Sequence, residues 1–364
     1  MAILEKVFKA AVNFKASDIH IVPGEPFTLR RFAKLNKLKS ASLTQSQCKL
    51  AIYEILNEDQ KKRLEEELQL DFAIEIPALG RFRGSTMVHH NGLSAVFRVI
   101  PLDIPTLEEL GMPIGVNKIL DNHQGLILVT GATGQGKSTT LAAMVDYLNS
   151  KRAHHILTVE DPIEFVHPIK RGAVNQRQLG RDTLSYANAL RSALREDPDI
   201  IVIGELRDLE TISLAISAAE TGHLVIGTLA TSSAPKTIDR IIDAYPPGEQ
   251  SQIRAMLSEA IKAVITQRLI PSVDNKSMKP ALEILIGTLP LTNLIRDCKT
   301  FQIPSMMQTG KAAGMMIMDE SILKLLNEEE ISLQDAMANA NNPKLFQNFT
   351  GKIPAKGQEA ELYN

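Results

Sequence analysis

The chain has 364 residues, 44% of them hydrophobic and 23% charged, with a formal net charge of −2. That composition belongs to a globular protein, and the length exceeds what one ordinary core organises, so two domains are expected. The near-neutral balance supplies no overall field for nucleic acid or anionic lipid, and no apolar run approaches the roughly 20 residues of a membrane helix.

The first residues, Met1-Ala-Ile-Leu-Glu-Lys6, carry an acid inside their short apolar stretch, which argues against a secretory signal. Residues 1–100 read as a small α+β domain. It opens with an amphipathic helix over Leu4–Phe14, followed by Ser17-Asp18-Ile19-His20 and a strand. The turn set Pro23-Gly24-Glu25-Pro26 leads into a basic strand region over Thr28–Lys39, read as a solvated face. Thr44–Leu70 has helical periodicity, and from Asp71 to Ile100 the pattern becomes β. Cys48 and Cys298 are too far apart for a metal-type CxxC pair and are expected to be packed thiols in a reducing, cytosolic compartment.

Pro101–Pro113, with three prolines, reads as a linker. The second domain opens with the apolar strand Leu126–Thr130 and alternates strands with helices. Further strands are expected at Ile156–Val159, Ile200–Ile203 and Leu224–Leu229. Such continuous apolar runs suit a parallel sheet buried on both faces, hence an α/β fold. After about Asp297 the pattern is mostly helical, and residues 350–364 read as a disordered tail.

Gly131-Ala132-Thr133-Gly134-Gln135-Gly136-Lys137-Ser138 fits G-x-x-x-x-G-K-[ST] in full, with a strand before it and a helix from Lys137 to Leu148 after it. Glycines allow the backbone N–H groups to curl around phosphates, and the helix N-terminus adds its positive end. Lys137 is expected to reach the β/γ-phosphates of ATP, with the Ser138 hydroxyl on Mg²⁺ and Thr139 among the nucleotide-binding residues.

Two acidic groups sit at the ends of expected parallel strands, where open α/β sheets bind ligands. Asp197–Glu205 reads as a strand next to the P-loop. Gly204 stands where many P-loop enzymes have a metal-holding Asp, and Glu205 is the acid at that end. The other group is Glu160-Asp161-Pro162-Ile163-Glu164. Since Gly204 cannot bind metal, Glu205 is assigned to the Mg²⁺ shell through water and Glu164 to polarising the attacking water; the exchanged assignment stays open.

The N-terminal segment offers arginines. With Asn91-Gly92 as a two-residue turn, Ser85 faces Arg98, Arg83 lies diagonal to it on the same face, and Arg81 follows by period two. Three like charges are unfavourable together unless an anion or carboxylate meets them. A γ-phosphate reached in trans is one such anion, which requires an oligomer; a solvated sheet face is the alternative.

The motifs together resemble the type IV pilus retraction ATPases of the PilT type, within the secretion ATPase superfamily, over about residues 1–345. Ser17-Asp18-Ile19-His20, Gly80-Arg81-Phe82-Arg83-Gly84 and Val96-Phe97-Arg98-Val99 are similar to the family's N-terminal signatures. Thr158–Glu164 resembles its Asp box, Gly204-Glu205-Leu206-Arg207-Asp208 its atypical Walker B, Thr221-Gly222-His223-Leu224 its His box, and Asn293-Leu294-Ile295-Arg296-Asp297 its C-terminal retraction motif. The resemblance implies a PAS-like N-terminal domain and a RecA-like ATPase domain in a homo-hexamer at the inner-membrane pilus base. It further implies ATP-driven pilus disassembly through a platform protein of the PilC type, with the hairpin arginines acting across an interface. On that reading His223 sits near the γ-phosphate; a histidine satisfied by a helix end is the plainer alternative.

Two positions depart from the family pattern. Thr228-Leu229-Ala230-Thr231 has alanine where a second histidine is usual, and Pro290-Leu291-Thr292 replaces Ala-Ile-Arg before the retraction motif. These departures keep open an accessory PilU-like subunit working beside a paralogous ATPase. An assembly or secretion ATPase of the same superfamily usually carries a tetracysteine insertion, which two isolated cysteines do not supply. No basic, aromatic-interleaved segment supports a nucleic-acid partner.

Overall fold

The computed structural model describes residues 2–31, 34–77, 79–347 and 349; the expected tail at 350–364 lies outside the described residues. The chain forms two compact units, Met1–Ile104 with Pro162–Val166, and Pro105–Asp161 with His167–Asn364. The boundary falls inside the proline-rich stretch 101–113, but the return of Pro162–Val166 to the first unit has no counterpart in the sequence pattern.

The first unit runs α1 (Ala2–Asn13), β1 (Asp18–Ile21), β2 (Thr28–Arg31), β3 (Lys34–Lys37), α2 (Gln45–Tyr53), α3 (Glu58–Glu67), β4 (Gln69–Ile76), β5 (Gly80–His89) and β6 (Gly92–Ile100). Its six strands are ordered β3-β2-β1-β6-β5-β4 and are antiparallel throughout. The helical stretch expected over Thr44–Leu70 divides into two helices. Thr44 and Asn57 each cap a helix with a reciprocal capping box, so the chain restarts at Asn57. Leu70 already belongs to β4.

Period two in β5 and β6 sends Phe82 and Phe97 to the core and the arginines to the opposite face. Phe8 of α1 meets Phe82 at a centroid distance of 4.4 Å and Phe97 edge-on at 5.1 Å. Gly84 lies beneath these rings, because a Cβ there would come within 2.6 Å of Phe72 and 2.9 Å of Phe97. The register differs from the expectation. His89 pairs with Gly92, so the turn residues are His90 and Asn91, and Arg83 is the direct partner of Arg98 rather than its diagonal neighbour. The left-handed backbone falls on Gly92 (φ 108°) and not on Asn91, which moves the tight turn one residue toward the N-terminus.

The second unit contains α4 (Gly115–Leu120), β7 (Gly125–Thr130), α5 (Lys137–Lys151), β8 (His155–Glu160), β9 (Ala173–Gln178), α6 (Tyr186–Ala193), β10 (Ile200–Ile203), α7 (Leu209–Glu220) and β11 (Leu224–Leu229). It continues with α8 (Ala234–Asp243), α9 (Gln250–Ala260), β12 (Ile261–Pro271), β13 (Met278–Ile286), α10 (Leu289–Arg296), α11 (Ile303–Thr309), α12 (Met318–Asn327), α13 (Leu333–Asn339) and α14 (Lys344–Gln347). The seven-stranded sheet has the order β13-β12-β7-β11-β10-β8-β9. All neighbours are parallel except β13, which is antiparallel to β12. Every residue of β7 and β11 is buried. Their alternate side chains feed two cores, Leu126 and Leu128 on one face of the sheet and Ile127 and Val129 on the other. β9, β12 and β13 add to the four strands legible in the sequence. This places the carboxyl ends of β7, β8, β10, β11 and β12 along one edge of the sheet, where the P-loop, Glu160 and Glu205 lie.

Candidate nucleotide site

The P-loop leaves β7 at Thr130 and enters α5 at Lys137. Gly131, Gly134 and Gly136 adopt φ of 146°, 81° and 79°, values that favour glycine and let successive peptides turn their N–H groups inward. Ala132, Thr133, Gly134 and Ser138 are exposed; Gln135, Gly136, Lys137 and Thr139 are half-buried. The Lys137 ammonium donates to the carbonyls of Gly131 at 2.8 Å and Ala132 at 3.0 Å, so it lies folded over the loop it would share with a phosphate. Burial lowers the Lys137 pKa, and the Glu205 carboxylate opposes that shift. A cationic group on a glycine arch at a 15-residue helix N-terminus fits a nucleoside polyphosphate.

Glu205 is half-buried just past β10 and accepts from Arg207 at 2.7–2.8 Å. Gly204 beside it is closely packed. A Cβ there would sit 3.1 Å from the Val159 carbonyl, 3.2 Å from the Tyr186 hydroxyl and 3.3 Å from the Glu160 Cα. On the neighbouring strand, Glu160 ends β8 and accepts from Thr158 at 2.7 Å and Gln176 at 3.0 Å. Glu160 has no role assigned from the sequence, although it directly follows the apolar run of β8. Tyr186, at the start of α6, carried no sequence signal. Its hydroxyl lies among Asp161, Glu205 and Glu160, and burial first, then Asp161, pushes its pKa up, so it stays a neutral phenol.

Glu164 belongs to the first unit with Pro162–Val166. Its carboxylate accepts from Arg83 at 3.2 Å. Arg81 donates to the carbonyls of Ile163 at 3.0 Å and Glu164 at 3.2 Å, and to Glu75 at 3.3 Å. Arg98 donates to Asp18 at 3.0 Å. Arg81, Arg83 and Arg98 therefore share one sheet face, and each already meets a carboxylate of its own chain.

His223 is not at the phosphate end of the sheet. It precedes β11, which pairs with β7 from Leu224↔Gly125 to Leu229↔Thr130, so a whole strand of about 20 Å separates it from the end that carries the P-loop. Its Nδ1–H donates to the Ala218 carbonyl in the last turn of α7 at 3.1 Å. The plainer alternative, a histidine satisfied by a helix end, describes it. Ala230 is the residue of that box next to the nucleotide end. Cys48 is buried as expected, whereas Cys298 is exposed. In α10, Pro290 occupies the first turn, Leu291 is buried, and the Thr292 hydroxyl donates to the Ser258 carbonyl at 3.1 Å; the altered triplet thus serves helix start and packing.

A buried parallel sheet, a complete P-loop and strand-end acids define a P-loop ATPase. The whole-chain comparisons are more specific: the Type II/IV secretion system protein family matches residues 1–358, and the chain belongs to that family. Among relatives, it is 49% identical over 331 residues to the type IV pilus retraction ATPase PilT of Pseudomonas aeruginosa, covering 91% of this chain and 96% of that one. It is 36% identical over 338 residues to the type IV pilus ATPase PilU of the same organism, covering 93% and 88%. A crystal structure of the pilus retraction motor PilT with bound ADP superposes with a TM-score of 0.84 at 42% identity, covering 93% of this chain and 97% of that one. The chain is thus a PilT-type ATPase. Among the described residues no helix is long and apolar enough to cross a membrane.

Proposed function

We propose that this protein is a Mg-ATP-hydrolysing hexameric motor that drives type IV pilus retraction. The observation that carries the reading is the near-full-length similarity to PilT, joined to an arginine-bearing unit distinct from the P-loop unit. In this reading the P-loop N–H groups and Lys137 hold the phosphates. The Ser138 hydroxyl and, through water, Glu205 are the groups suited to Mg²⁺, whose charge would neutralise the β- and γ-oxygens. Glu164 polarises water, and Arg83 and Arg98 meet the phosphates of a neighbouring subunit. Lys137, already bound to carbonyls of its own loop, needs only to exchange those contacts for phosphate oxygens. The implied partners are five further copies of the chain and an inner-membrane platform protein of the PilC type, with the protein peripheral at the pilus base.

A second reading, an accessory PilU-like ATPase, is favoured by Ala230. Ala230, exposed just past β11, offers no side-chain hydrogen bond with which to report γ-phosphate. The two separate in a deletion strain complemented with wild type or Lys137→Ala. A principal motor predicts loss of surface motility and excess pili in the deletion, restored by wild type and not by Lys137→Ala. Normal motility in the deletion strain, with low turnover by the purified protein, would favour the accessory role.

A further inference from the structure

We propose that Gln267 is a positioning residue for the reaction, which aims the Gly136 N–H into the phosphate cradle. Gln267 lies outside every motif read from the sequence. β12 runs parallel to β7 with Thr266 opposite Thr130, so Gln267 comes level with Gly131, the first residue of the P-loop. The approach is close, since a Cβ on Gly131 would stand 2.6 Å from the Gln267 carbonyl.

The Gln267 side chain is buried and both ends of its amide are engaged. Thr140 of α5 donates its hydroxyl to Oε1 at 2.9 Å, while Nε2 donates to the main-chain carbonyl of Gln135. A carbonyl only accepts, so the amide orientation is fixed: the flipped form would set two oxygens against each other. The Gln135 side chain is held as well, because its Oε1 accepts from the Leu269 N–H. Two alternate residues of β12, Gln267 and Leu269, thus border the P-loop, both bound to Gln135.

The consequence follows from peptide planarity. In a trans peptide the carbonyl of one residue and the N–H of the next point in opposite directions. Drawing the Gln135 carbonyl toward Gln267 therefore turns the Gly136 N–H away from β12. That N–H takes no hydrogen-bond partner among the described residues, as befits a donor held for an incoming anion. Because Gly136 is the N-cap of α5, its N–H adds to the anion-binding end of the helix. Fixing a donor before the anion arrives removes reorganisation from binding and from the transition state.

The inference rests on the P-loop being the phosphate cradle, and the test keeps the two apart. Full-length Gln267→Leu, Gln267→Glu, Thr140→Val and Lys137→Ala are compared for ADP and AMP affinity, by competition with a fluorescent ADP analogue, together with Mg-ATP turnover and nucleotide-free thermal midpoint. Gln267→Leu should weaken ADP about tenfold with AMP nearly unchanged, since AMP lacks the β-phosphate the cradle holds. Gln267→Glu should be worse, its carboxylate facing the Gln135 carbonyl. Thr140→Val frees the amide to rotate and should weaken ADP about threefold; it carries the test if the Gln267 variants do not fold. Wild-type ADP affinity in folded Gln267→Leu, or equal losses for ADP and AMP, would overturn the positioning role. Wild-type ADP affinity in Lys137→Ala would overturn the cradle assignment and the inference with it.

Discussion

Arg83 faces Arg98 directly across the β5–β6 ladder, and each is met by an acid of its own chain, Glu164 and Asp18 respectively. Two guanidiniums on adjacent strands repel unless anions accompany them, so the carboxylates keep the pair in place until a competing anion arrives. If a neighbour's γ-phosphate is that anion, Arg83→Ala/Arg98→Ala subunits and Lys137→Ala subunits should each be inactive alone. Their mixture should regain partial turnover, because some interfaces pair an intact P-loop with intact arginines. An arginine supplied by a neighbour is worth roughly 10³–10⁵ in rate in other phosphoryl-transfer systems, so even a small fraction of such interfaces should be measurable. Full activity from a monomer at every concentration would end this interpretation.

The two acids should be separable by metal. Glu205 bears on Lys137 electrostatically and is braced by Arg207, whereas Glu164 is braced by Arg83. Glu205→Gln and Glu164→Gln are each expected to cut turnover by at least about 10²-fold while sparing ATP binding. Raising Mg²⁺ should partly rescue Glu205→Gln alone, since that change weakens the metal shell. Rescue of Glu164→Gln instead would exchange the two roles.

Acid should destabilise the fold through His167. Its Nδ1 is buried without a partner, and burial, which outweighs the opposing pull of Asp146 and is joined by Lys170, drops its pKa from 6.5 to about 4. The unfolded chain then binds more protons than the native one between those values. This contribution is fully present above about pH 6.5 and is lost as the pH falls toward 4. His167→Gln should flatten that part of the stability profile by about 1–3 kcal/mol relative to wild type in denaturant titrations. Parallel profiles would show that the imidazole charges without cost.

What was legible in the sequence is what lies close along the chain. β7, the P-loop and α5 are contiguous, and Gly204-Glu205 follows a single apolar run. Gln267 and Leu269 touch Gln135 across more than a hundred residues, a contact that exists only because β12 inserts beside β7. The Asn91-Gly92 pair announced a hairpin, but which peptide turns is set by where the left-handed backbone falls, and that placed Arg83 opposite Arg98. His223 misled for a geometric reason. A short motif spanning an entire buried strand has its two ends about 20 Å apart, so only the Ala230 end reaches the nucleotide side.

Gly204 offers a discriminating substitution, because restoring the acid that many P-loop enzymes carry there should harm this one. Gly204 follows β10, and its N–H donates to the Val159 carbonyl at 2.8 Å, which holds the backbone against β8. A Cβ would meet that same carbonyl oxygen, the Tyr186 hydroxyl and the Glu160 Cα, all within 3.1–3.3 Å. Two of these atoms are backbone and the third belongs to a buried ring, so none yields without moving a strand or α6. Gly204→Ala should therefore lower stability by about 1–3 kcal/mol, in the range of an overpacked core. Gly204→Asp should add a carboxylate beside Glu160, Asp161 and Glu205, raising like-charge repulsion at that strand end. Its turnover should fall more than tenfold below wild type, and extra Mg²⁺ should not restore it, since the strand end would be displaced along with Glu205. Tyr186→Phe removes only the hydroxyl and should relieve part of the loss in Gly204→Ala. A Gly204→Asp protein with wild-type stability and turnover would mean that this end of the sheet has room the contact distances deny, and that the glycine is no steric requirement.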